Sequence, residues 1–154
     1  MSRAYLHLLL LAHVSRFFGA ARRATDRLGQ DELASLTKFA GNMLWAHSGF
    51  ASGDAAQRRA MAVVGGASEN LAGGLTGAES RAQEARAALD ELERSMLAGM
   101  DTLVDTLGAE LAQKGLSDAS PATLDAWIWE RLFPGTPWPA GHAELEDALL
   151  RRWR

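Results

Sequence analysis

Apolar residues recur along this chain with the period of a helix, and no run shows convincing strand alternation. From Ala4 to Val14 the side chains are apolar almost all round a helical wheel. That is how a helix in the middle of a bundle looks, and it predicts a first helix over about 3–23. Asp26 to Gln30 reads as a turn. A second helix then runs to about His47, with Leu33, Leu36, Ala40, Met43, Leu44 and His47 on one stripe and Trp45 on the other side. Asp54 and Gln57 have the spacing of a capping box and predict a short helix to about Val64. Residues 65–77 hold five glycines, too much backbone entropy for regular structure, and read as a hinge or loop.

The strongest pattern follows. Thr76 and Glu79 form a second capping box, and Gly115 supplies a stop. Between them Ala78, Ala82, Ala85, Leu89, Leu92, Met96, Met100, Leu103, Leu107 and Leu111 hold one stripe, predicting one long amphipathic helix over about 77–114. Unbroken, it would reach roughly 55 Å, more than a domain of this size spans. Either it breaks near Gly99 or Gly108, or it projects and pairs with a partner. Ser120-Pro121 is a helix start, and Pro134 ends that helix because the residue before a proline is pushed out of the α region. A last helix is expected over about 142–153, its acids early and its arginines late, as the helix dipole favours.

The helix from Pro121 is apolar on two sides. Leu124, Trp127, Ile128 and Leu132 make one face, while Trp129 pairs with Phe133 on another. That second face needs its own cover. Trp138, between Pro137 and Pro139 in a Pro/Trp-rich loop at 134–141, could fold back as a lid. Otherwise Trp129, Phe133 and Trp138, with Trp45, form a surface for a protein partner. The lid is the favoured reading, because large aromatics are more often buried than bare.

These elements make an all-α protein, a helical bundle of five or six helices in a single domain over 1–154, which is ample length for a core. The absence of cysteine removes disulfides, thiolate metal sites and cysteine nucleophiles. Fourteen of the sixteen basic residues are arginine, a bias associated with bacterial coding sequences. The net charge of −3 excludes wholesale phosphate neutralisation, so nucleic-acid binding is not expected. The charge is segregated: residues 1–59 carry eight basic and four acidic groups, and residues 60–150 carry five and fifteen. Opposite potentials of that kind suit folding of the head against the body, or contact between chains. Arg22, Arg23, Arg27, Arg58 and Arg59 are the candidates for holding an anion, with intramolecular carboxylates as the competing partners.

Chemistry is sparse. The four histidines have none of the spacings of a zinc protease or a di-iron bundle. His47, on an apolar stripe, is the one candidate cofactor ligand, and a satisfied core histidine is the plainer reading. Asp101 and Asp105 lie one turn apart but off the apolar stripe, as on a solvated face. No catalytic residue, metal site or cofactor is assigned.

The sequence therefore points to a non-enzymatic protein–protein contact module, an assembly or adaptor piece, self-associating through the long helix. Two alternatives stand beside it: a bundle enzyme or cofactor protein using His47, and an exported or membrane-associated protein directed by its apolar N-terminus. A cytoplasmic location follows unless residues 1–21 are a signal peptide, and residues 4–18 are the segment that would meet a membrane.

Overall fold

The computed structural model describes residues 1–46, 78–136 and 141–153, and among these there are six helices and no strand. They are α1 (Arg3–Thr25), α2 (Gln30–Ala46), α3 (Ala78–Ala98), α4 (Met100–Gln113), α5 (Pro121–Leu132) and α6 (His142–Trp153). The expected all-α bundle is what forms. The short helix to Val64, the glycine-rich segment 65–77, His47, Arg58, Arg59 and Trp138 all lie outside the described residues.

α1 is the centre of the bundle. Ser2 caps it, its hydroxyl accepting from the Tyr5 amide at 3.1 Å, and it packs against α3, α4, α5 and α6. Its inner surface, Leu6, Leu10, Val14, Phe17, Phe18, Ala21 and Ala24, is sealed from solvent. By length and composition this helix is apolar enough to cross a membrane, and in this fold its inner surface is buried. Arg22 meets Asp90 and Glu93 at one end of α1, while Arg3 meets Asp105 and Leu6 approaches Gly108 at the other. α1 thus runs antiparallel to the α3–α4 pair.

The stretch expected as one long helix is two. The backbone leaves the helical region at Gly99 (φ −92°, ψ 10°), one of the two glycines where a break was anticipated, and resumes at Met100. The ladder bridges the site, with Gly99 donating to the Ser95 carbonyl at 3.1 Å and accepting from the Leu103 amide at 3.0 Å. Both segments bury the stripe. Ala85, Leu89, Leu92, Met96, Met100, Leu103, Leu107 and Leu111 are covered within the molecule, α2 packing along α3 and α1 crossing both helices. The apolar seam from which self-association through the long helix was expected is therefore consumed by the chain's own core.

α5 is closed by a tight turn. Phe133-Pro134-Gly135-Thr136 carries the bond from the Thr136 amide to the Phe133 carbonyl at 3.1 Å, with Gly135 at φ +79°, the pattern of a type II turn with proline second and glycine third. We expect Gly135→Ala to lower stability by about 1 kcal/mol, because only glycine takes that φ without strain. Urea unfolding measures it, and an unchanged midpoint would contradict the turn's role.

Candidate functional site

The aromatic cluster read from the sequence is internal. Trp129 and Phe133 are 1% and 0% exposed, so neither offers a surface to a partner. Their cover is α1. Phe17 stacks on Phe133 with centroids 3.9 Å apart and planes 7° apart, and Phe18 meets Phe133 edge-on. Trp129 donates its indole N–H to the Thr136 carbonyl at 2.9 Å, and Arg152 donates to the Thr136 hydroxyl at 2.8 Å, so the turn after α5 is tied to α6. The second apolar face of α5 is thus covered by the first helix of the chain, and the Trp138 lid lies outside the described residues. Trp127 is half-buried against the same core. Trp45 belongs to α2, and its side chain lies outside the described part.

The arginines at the end of α1 are engaged at home. Arg22 holds Asp90 at 2.8 Å and Glu93 at 2.9 Å; Arg23 and Arg27 both reach Glu146, at 3.2 and 3.1 Å; Asp26 takes Arg86. The hydrogen bonds that Arg22 donates to Glu93, then those it donates to Asp90, raise its pKa above the ordinary value. Arg22, Arg23 and Arg27 thus pair with carboxylates of the same chain, bringing the end of the basic head against the acidic body. Each such surface pair contributes only some tenths of a kcal/mol, so together they orient α1, α3 and α6 more than they stabilise them. Asp101 and Asp105 receive Arg3 at 3.4 and 2.9 Å on the solvated face.

A feature that sequence reasoning passed over lies on the other flank of α1. His13, counted only as part of the imidazole supply, is 4% exposed, with Nε2 3.3 Å from Asp125 Oδ1 of α5 and its ring edge-on to Trp129 at 5.9 Å. It lines an open groove of about 560 Å³ together with Leu9, Ala12, Ser15, Arg16, Gly19, Arg23 and Asp125. Small residues at 12 and 19 leave the depth, and the Arg23 guanidinium lies over Gly19, 3.5 Å from where a Cβ would stand. One sequence signal was available. Residues 9, 12, 16, 19 and 23 repeat at alternating three- and four-residue steps, a single helical face mixing small, apolar and basic types.

Burial lowers the His13 pKa below the ordinary imidazole value; Asp125 opposes that through its charge, and Arg16 adds to it. The folded protein resists the proton that the unfolded chain accepts, so full stability holds above about pH 6.5 and is lost as pH falls below it toward the depressed folded value. We expect His13→Gln to flatten this decline between pH 7.5 and 5.5. Thermal melts at both pH values check it, and identical slopes would show that His13 is not the titrating group.

The outer face of α1 completes the picture. Tyr5 and Leu8 are 42% and 66% exposed, and Ala12 and Ser15 continue their line at three- and four-residue steps. Fold and surfaces together define a class, an all-helical bundle with a polar-walled groove and a bare apolar stripe on its central helix. In comparison with known proteins, no family model, curated protein or solved structure matches this chain.

Proposed function

We propose that this protein is a non-enzymatic contact module that pairs with a second copy of itself through the outer face of α1. The observation that carries the reading is the exposure of Leu8 and Tyr5 on a helix whose other large apolar side chains are buried or partly so. Apolar side chains left exposed in line are a feature that interaction surfaces share. Met1, Tyr5, Leu8, Ala12, Ser15 and Gly19 form a line in which large residues occupy one half and small residues the other. An antiparallel two-fold pair about residue 10 sets Met1 against the partner's Gly19, Tyr5 against the partner's Ser15 and Leu8 against the partner's Ala12. Large meets small at every step, which is how self-complementary helix contacts interdigitate.

A contact of one helix on one helix buries less than the roughly 800 Å² per partner of a standard interface, so the association expected is in the micromolar range or weaker. Light scattering across protein concentrations should show a monomer giving way to a dimer. Leu8→Glu should hold the protein monomeric with its helical signal unchanged, because position 8 is solvent-facing in the monomer. A wild-type mass that stays monomeric up to about 1 mM, where associations of this strength populate, would refute the reading.

Retention of α1 belongs to the same proposal, since residues 1–21 supply the seam as well as core side chains. A cytoplasmic location is the setting it implies.

A further inference from the structure

We propose that in the self-paired dimer the groove between α1 and α5 receives the partner's Tyr5, its ring lying over Ala12, Ser15 and Gly19 and its phenol donating to the Asp125 carboxylate. The contact rests on the self-pairing proposed above and fixes its register. Pairing about residue 10 sets the partner's Tyr5 level with Ser15, and Ser15 lines the groove. Counted at about 100° per residue around the α1 axis, Tyr5 lies within about 40° of Leu9, Ala12, Arg16 and Arg23, all of them groove residues. A two-fold axis perpendicular to both helices keeps a shared side shared, so the partner's Tyr5 leaves the seam on the side where this copy's groove opens. Symmetry repeats the contact, and each copy fills the other's groove.

Charge and chemistry select the same occupant. Arg16 and Arg23 are balanced by Asp125 and by Glu146, which holds Arg23 at 3.2 Å, so the groove has no net charge to offer an ion. An uncharged side chain with one polar end matches that balance. Leu9, Ala12 and Gly19 give small and apolar surface for a ring. Beside them the Asp125 carboxylate, with Oδ1 3.3 Å from His13 Nε2, is a charged acceptor and makes the stronger kind of hydrogen bond. The volume of about 560 Å³ has room for the phenol ring. Tyr5 is 42% exposed in the single copy, and tyrosine suits such a seat because its ring gains by burial while its hydroxyl finds a partner.

Tyr5 is the chain's one tyrosine, which gives a direct readout. In a mixture of isotope-labelled and unlabelled protein above the dimerisation midpoint, nuclear Overhauser contacts that cross between chains are expected from the Tyr5 ring to the Ala12 methyl and to the Gly19 and Arg16 protons. Tyr5→Phe should weaken dimerisation about tenfold by analytical ultracentrifugation, since the symmetric pair loses two hydrogen bonds to a charged acceptor. Asp125→Ala should weaken it by a similar factor, and combining the two should cost little more, because the two partners of one bond are not additive. Position 5 is exposed in the single copy, so Tyr5→Phe should leave the helical signal unchanged. Failure of the groove contact and failure of self-pairing read out differently. If Leu8→Glu abolishes a dimer in which the Tyr5 ring makes no cross-chain contact with the groove, or whose midpoint Tyr5→Phe leaves unchanged, the groove contact is overturned and self-pairing stands. Losses that add in full would likewise overturn it, and a wild-type protein that stays monomeric would overturn both.

Discussion

Removing residues 1–21 is expected to abolish the folded state. The deletion takes Leu6, Leu10, Val14, Phe17 and Phe18 out of the core, each no more than 3% exposed. At about 1.5–3 kcal/mol for each such side chain, their loss amounts to about 7–15 kcal/mol, as much as the whole stability of an ordinary domain. It also uncovers the α3–α4 stripe and the aromatic face of α5 together. Circular dichroism of the truncated protein should show reduced helix and no cooperative melt. A sharp thermal transition in that protein would mean that α1 is dispensable, and would revive the view of it as a removable leader. The intact mass of protein recovered from cells gives a second check, with an unprocessed N-terminus expected.

Trp129→Ala should be the most damaging single substitution. The indole is 1% exposed, packs against His13, Phe17 and Phe133, and spends its N–H on the Thr136 carbonyl. Truncating so large a core side chain costs about 3–5 kcal/mol, the spread depending on how far the site collapses. Trp129→Phe keeps most of the volume and removes the hydrogen bond, leaving the buried Thr136 carbonyl without that donor, for about 1–3 kcal/mol. Denaturant unfolding of the two variants separates packing from hydrogen bonding. Equal losses would assign nearly everything to the N–H, and a negligible loss in the alanine variant would place the ring outside the core.

Helix positions were readable from the sequence because period, caps and stops agreed locally. Ser120-Pro121, Pro134 and Gly115 mark real boundaries, Gly115 at φ +66° after α4. What periodicity withholds is which apolar face meets which. The stripe on α3 and α4 looked like a seam between chains because nothing local says that α1 and α2 will cover it. Phe133 was expected to be covered, but what covers it was not legible because its stacking partner, Phe17, is 116 positions away. Charge segregation was the one long-range hint, and the pairing of Arg22 with Asp90 and Glu93 is the form it takes.

The groove was invisible for a related reason. It needs Asp125 to arrive at His13 from another helix, and a lone histidine in a greasy run carries no sign of that meeting. Gly19 and Ala12 gave equally little away, since small residues within a helix are as often packing sites as openings. The solvent-facing line Tyr5-Leu8-Ala12-Ser15 was hidden by its own surroundings. In a segment apolar on all sides, only the fold tells the covered residues from the bare ones.

The central claim is that α1 is one helix with two tasks, its inner side closing the core and its outer side meeting a second copy. The absence of cysteine permits a direct measurement. Leu8→Cys and Ala12→Cys proteins, mixed under mild oxidation, should form the mixed disulfide dimer faster than either homodimer. It should also outpace a control in which Ser35→Cys, exposed on α2, replaces the Ala12 variant. Cross-linking through position 35 at the same rate as through position 12 would contradict the account.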